Sequence, residues 1–445
     1  MNIARADIDA LNAMLTVKVE KADYETGVEA TLRDYRRKAQ IPGFRPGMVP
    51  MGVIKKMYQK SITADEVFKK VSEGISQYIK DNQLHVLGEP LPNKDTQSID
   101  FDTQTDFEFT YDVALAPAVQ LNISKQITVP YYTVSVTDDE VQQRINAYRR
   151  YYGKMVPLEK IEKNALVRVD LTQHKENAHS VKAALLSLMV IPEAEQETLL
   201  GLAVGNTVEV NVRKLLTNDA DCAAFLSVTK ERLATIDPVF TLTIGEITSV
   251  ELAEISQSFF DDLYGKDVVT SEEAFADRVK SELHSEAAGK SERRFAADVR
   301  STLMERASLK LPEAFLKRWL LLTSDGKMTE DEVEKDFPSL ADSLRWQLIT
   351  EHILKQENIE VTEDDLLTVA KQTVLQRLTM YYGTNNISED RLTEFARAML
   401  NRSEERDSLA KHAAQHQVIA YIRGAVTVEQ KEVSHEQLKG MLAEA

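Results

Sequence analysis

Gly43-Phe44-Arg45-Pro46-Gly47-Met48-Val49-Pro50 separates two segments whose apolar residues recur at helical spacing. Gly43 and Gly47 open backbone geometries that other residues resist, while Pro42, Pro46 and Pro50 stiffen the chain, so the stretch predicts a rigid protrusion. Upstream, Val28, Leu32, Tyr35 and Ala39 mark a helix that stops before Pro42. Before that, Leu15, Val17 and Val19 alternate with polar residues as in a half-buried strand. Downstream, Thr63 and Glu66 have the spacing of a capping box and precede the stripe Val67, Phe68, Val71, Ile75, Tyr78, Ile79, which predicts a second helix from Thr63. Phe107, Phe109, Tyr111, Val113 and Leu115 read as a further strand, so residues 1–116 form an α+β domain.

The 445 residues carry a net charge of −17, which argues against general nucleic-acid binding, yet the charge is uneven. From Arg33 to Lys60 there are eight basic residues, Arg36, Arg37 and Lys38 among them, against a single acid, Asp34. A basic patch on an acidic protein suits an anionic partner, RNA or an acidic protein surface; a solvated helix face is the plainer reading. The start of the chain lacks the apolar core of a secretory signal, and no apolar run reaches spanning length, which predicts a cytosolic protein without membrane contact. Cys222 is the sole cysteine, which rules out an intrachain disulfide or a cysteine zinc cluster.

From 117 to 152 the pattern is an extended linker with Pro117 and Pro130, then a helix boxed by Thr137 and Glu140. Short β-rich runs at 166–171, 185–191, 204–212 and 240–247 predict a small mainly-β domain over 153–250. From 251 to 445 helical stripes dominate, with breaks near Pro312, Gly326, Pro338, Gly383 and Gly424, for six to eight helices. His412 and His416 lie i, i+4 but lack the Glu and third ligand of a zinc site, and no phosphate-binding glycine loop occurs, so no cofactor or metal is expected.

The Gly43–Pro50 stretch resembles the signature of the bacterial trigger factor family, Gly-Phe-Arg-x-Gly-x-Val-Pro, and sits between two helices as it does there. The order of segments is similar too: an α+β domain, a linker, an FKBP-like β insertion and a long helical part. The resemblance implies an ATP-independent chaperone that docks at the ribosomal exit tunnel, on protein and RNA, through Gly43, Phe44, Arg45, Pro46 and Gly47 with Arg36, Arg37 and Lys38. It also implies contact with nascent and unfolded chains, and allows a homodimer of the free protein. Phe44 and Arg45 are residue types that anchor interfaces.

FKBP-type prolyl isomerases hold proline in an aromatic-lined pocket and need neither nucleophile nor metal. Here Phe225 is the sole aromatic residue from Lys163 to Ile236, and Ile191-Pro192-Glu193-Ala194-Glu195 stands where the resemblance implies Ile-Pro-Gly-Phe-Glu. Asp170, Ile191 and Phe225 are what is left of a candidate pocket, which predicts an eroded isomerase retained as a contact surface. In the helical part, Phe315, Trp319, Met380 and Tyr381 are candidates for contact with unfolded chains. Two other classes compete: an active prolyl isomerase, disfavoured by the aromatic-poor insertion, and a helical scaffold or exported chaperone, disfavoured by the basic N-terminal helix.

Overall fold

A computed structural model describes every residue except 43, 46–47, 95–98, 174–178, 383–386 and 444–445. Alternation in the first segment produces an antiparallel pair, β1 (Asn2–Asp7) and β2 (Asn12–Val19), with Leu15, Val17 and Val19 buried on one face of β2. Two helices follow, α1 (Lys21–Lys38) and α2 (Met51–Asp81), then β3 (Leu91–Pro92) and β4 (Phe107–Ala114), giving a sheet in the order β1-β2-β4-β3. The helices bury Tyr24, Val28 and Leu32 with Ile54, Val67 and Val71 against Phe107 and Phe109.

The second helix begins twelve residues before the expected Thr63, directly after Pro50. Thr63 is buried within it, and Glu66 does not cap: its carboxylate accepts a 2.8 Å hydrogen bond from Thr31 Oγ1 on α1. Proline is well suited to a helix start, and Ile54 and Ile62 extend the buried stripe upstream, so packing overrides the capping pattern.

β5 (Thr128–Val134) leads to α3 (Asp138–Tyr151), which starts at the expected capping box: Glu140 N–H donates to Thr137 Oγ1 and Thr137 N–H to the Glu140 carboxylate. Next come β6 (Lys154–Pro157), β7 (Ala165–Thr172), β8 (Ser180–Ser187), α4 (Glu193–Gln196), β9 (Thr207–Asn211), the short helices α5 (Val212–Leu215), α6 (Asp219–Phe225) and α7 (Lys230–Leu233), and β10 (Val239–Glu251). The sheet runs β6-β10-β7-β8, with β9 also on the 13-residue β10. Alternate residues Val167, Val169, Leu171, Leu242 and Ile244 fill its core. The run 185–191 is only partly strand, since β8 ends at Ser187 and Leu188–Val190 make a 3₁₀ turn.

The rest is helical: α8 (Gln257–Tyr264), α9 (Glu272–Ala307), α10 (Glu313–Thr323), α11 (Glu330–Gln356), α12 (Glu363–Tyr382), α13 (Glu389–Leu400) and α14 (Ser403–Ala425), then β11 (Thr427–Val433) and α15 (His435–Ala443). Pro338, expected as a break, lies inside α11. Val333 and Phe337 before it and Ala341 and Trp346 after it are all buried, so packing on both sides holds the helix through the lost hydrogen bond. Gly383, another expected break, lies outside the described residues.

The chain divides into two units, one of Met1–Tyr131 with Arg293–Lys431, the other of Tyr132–Glu292 with Glu432–Glu444. In the first, Ile127, Phe295, Val299, Ile349 and Ile422 form a helical core, and Leu366, Ala370, Ala396 and Ala413 another across α12, α13 and α14. In the second, Val141 and Ile145 of α3 pack on Phe259, Phe275 and Val279.

Candidate functional site

The end of α1 and the start of α2 frame the glycine-proline stretch. Arg36, Arg37 and Lys38 occupy the last turn of α1, where cations complement the negative end of the helix dipole. Arg36 Nε donates a 3.0 Å hydrogen bond to the Val49 carbonyl, joining the two ends of the loop, and Val49 is fully buried. Ile41 and Ala39 pack on the same core, so both feet of the loop are held. Between them Phe44 N–H donates to the Ile41 carbonyl at 3.1 Å and Met48 N–H to Arg45 at 2.9 Å. On this fixed base Phe44 is 41% exposed, and Arg45 and Met48 also face solvent. Gly43, Pro46 and Gly47 lie outside the described residues.

Beside the loop, α1 and α2 leave a groove of about 420 Å³ lined by Thr31, Asp34, Tyr35, Lys38, Ala39 and Tyr58. The rings of Tyr35 and Tyr58 meet at 5.5 Å with a 46° tilt. Helical spacing had grouped Tyr35 with the core positions Val28 and Leu32, but it is 47% exposed. The buried stripe of α1 ends at Leu32, one turn earlier, whereas Tyr58 of α2 packs on the core. An aromatic on a helix stripe does not itself say where the core stops.

In the β-rich module the three pocket remnants do not converge on an open site. Asp170 accepts a 2.7 Å hydrogen bond from Ala183 N–H, where β8 is irregular and Ala183 has φ +54. Its carboxylate secures a bulge. Ile191 and Phe225 are both buried in the core of the sheet with Leu188, Leu199 and Phe240. Along β8 runs a groove of about 510 Å³ whose lining includes the largely buried Phe225 and the exposed Leu185 and Val190. Its lining is mixed, with Lys182 and Asp221 among apolar side chains, and among the described residues Phe225 is the one aromatic in it. Burial also pushes the Cys222 thiol above its ordinary pKa, and Sγ donates to the Leu216 carbonyl at 2.9 Å.

The helical candidates separate into two kinds. Phe315 is buried, and Trp319 lies against Gly88, whose φ is +73; a Cβ there would stand 3.0 Å from the indole. Phe315 lies in a core cluster with Leu87, Leu91 and Phe337, and the half-buried Trp319 packs against that cluster, so both help hold α10 in place. Met380 and Tyr381, at the end of α12, are 70% and 75% exposed. Phe395 on α13 is a further exposed aromatic that sequence reading missed, because it lies next to Leu392, Ala396 and Met399 in a helix with a clear buried stripe. A cavity of about 770 Å³ opens between α9, α11 and α14, with Met304, Trp346, His416 and Ile419 in its walls. His412 and His416 are exposed, and among the described residues no cluster of His, Cys, Asp or Glu could hold a metal. No helix among them is long and apolar enough to cross a membrane.

Three family models match this chain in order. The one described as "Bacterial trigger factor protein (TF)" covers 1–148, "Probable trigger factor, FKBP-like domain" covers 155–252, and "Probable trigger factor, C-terminal domain" covers 291–442. Trigger factor of Agrobacterium fabrum is 26% identical over 98% of this chain and 89% of its own length. That of Rhodopseudomonas palustris is 24% identical, over 98% of both. A solved trigger factor chaperone, described for promiscuous substrate recognition in folding and assembly activities, covers 95% of this chain at 16% identity and a TM-score of 0.46.

Proposed function

This chain belongs to the trigger factor family, and we propose on that basis that it is a ribosome-associated, ATP-independent chaperone that docks at the exit tunnel and shields nascent polypeptides. Docking is the work of residues 1–116. The observation that carries this is the Phe44–Arg45 tip, an aromatic ring and a guanidinium held in solvent on a loop whose ends are tied by Arg36 and Val49. Arranged beforehand in this way, the two side chains lose little freedom on binding, and both are types that dominate interface energies. Arg37 and Lys38 flank the tip and supply charge toward RNA, while the linker helix of 117–152 and the helices of 251–445 form the chain-holding body. The protein acts in the cytoplasm, and a homodimer of the ribosome-free form is tested by sedimentation velocity.

The FKBP-like region, 153–250, serves as a contact surface for unfolded chains rather than as a competent isomerase. Burial of Phe225 and the engagement of Asp170 with Ala183 support this reading. On a proline-containing peptide the purified protein is expected to leave cis-to-trans relaxation near its uncatalysed rate; acceleration to the level of a competent FKBP domain refutes it. The docking reading is tested by co-sedimentation with ribosomes. The native chain pellets, the Phe44→Ala, Arg45→Ala variant stays in the supernatant, and equal behaviour of the two contradicts the proposal.

A further inference from the structure

We infer that the Tyr35–Tyr58 groove is a second contact beside the loop, one that takes a single unpaired RNA base. The inference rests on the ribosome-docking reading and adds to it a site and a ligand class. Unpaired bases are bound by stacking on aromatic rings, with cations on the backbone and acceptors or donors on the base edge. All three are present within one groove of about 420 Å³. Tyr58 is half-buried and packs on the domain core, a fixed floor; Tyr35, 47% exposed, meets it at 5.5 Å with a 46° tilt and leaves about half of its surface to solvent. Lys38 lies at the rim, and Lys55 and Lys56 are exposed on the neighbouring turn of α2.

The sign of the charges selects the occupant. Between Arg33 and Lys60 eight bases face one acid, so an anionic chain is favoured over an acidic-poor peptide. That one acid, Asp34, lines the groove itself. It is exposed, with Arg37 3.6 Å away, and offers carboxylate oxygens where the amino group on a base's Watson–Crick edge would arrive. A carboxylate placed there is costly toward phosphate and useful toward an amino-bearing base, so the groove reads a base while Lys38 meets the backbone. Thr31, whose hydroxyl donates to the Glu66 carboxylate, completes the polar side of the lining.

The test uses the full chain and intact ribosomes. Titrated co-sedimentation is expected to show about tenfold weaker binding for Tyr35→Leu, which keeps bulk but cannot stack, and near-native binding for Tyr35→Phe, which can. Lys38→Gln lowers the slope of log affinity against log salt by about one. Base-edge chemical probing of the ribosomal RNA with native protein bound is expected to show a protected unpaired base that becomes reactive again with Tyr35→Leu at saturating concentration. Unchanged affinity and unchanged protection in Tyr35→Leu overturn the groove while leaving the loop's docking intact. A photo-reactive phenylalanine analogue at position 35 that joins a ribosomal protein instead of RNA also overturns it. Failure of the native chain to pellet at all removes both this inference and the reading beneath it.

Discussion

Phe44 and Phe225 are each the aromatic residue on which a family-typical site would turn, and the fold treats them oppositely. Phe44 is 41% exposed on a loop whose feet, Ile41 and Val49, pack on the domain core. Phe225 closes a helix of seven residues directly over a sheet, where Cys222, Leu226 and Phe240 surround it. The contrast teaches that an aromatic side chain is available to a partner only where the backbone cannot bend it back onto its own core. A short stiff loop prevents that, and a short helix on a sheet compels it.

The largest effect expected from breaking this contrast is on stability. Phe225→Ala removes a core ring and is expected to destabilise the β-rich region by about 3–5 kcal/mol, read by thermal unfolding, while ribosome pelleting stays at the native level. The reverse pattern is expected at the tip: Phe44→Ala with Arg45→Ala costs about 2–4 kcal/mol of ribosome affinity, thirtyfold or more, with no loss of melting temperature. A loss of melting temperature there would mean the ring is part of the core after all. Arg36→Met tests whether tying the loop matters. Loss of its bond to the Val49 carbonyl is expected to weaken ribosome binding by about 1 kcal/mol, roughly fivefold, with Phe44 and Arg45 untouched. The smallest effect concerns reporting rather than binding. Cys222 is buried with its thiol pKa raised by that burial, so a thiol reagent at neutral pH is expected to label the native chain only on opening, and Phe225→Ala to speed the labelling. Fast labelling of the native protein would show that the module is looser than its packing implies.

Elements whose signal is local were legible from the chain alone. The β2 alternation, the Thr137–Glu140 box opening α3 and the change to helices after Ser256 each depend on residues within a few positions of one another. Readings that failed depended on distant partners. Thr63–Glu66 has the spacing of a cap, but Thr31, 35 positions away, takes the Glu66 carboxylate and the helix runs through. Pro338 ends no helix because residues on either side of it are buried by other elements. Tyr35 fits the stripe of α1, yet the core it would join ends one turn before it.

The candidate site was legible to the same degree. Phe44 and Arg45 could be named because a loop of glycines and prolines states its own stiffness. Trp319 and Phe315 could not be told from Met380 and Tyr381, since all four are large apolar residues in helices of similar pattern. Their fates were set by Gly88 and Leu91, more than 200 positions earlier, which offer the first pair a seat that the second pair lacks. Order of segments, family and the stiff basic finger were thus written in the chain itself, because backbone preference and charge are properties of neighbouring residues. Which rings face solvent and which hold the body together was decided only in three dimensions, because burial depends on what arrives from elsewhere in the chain.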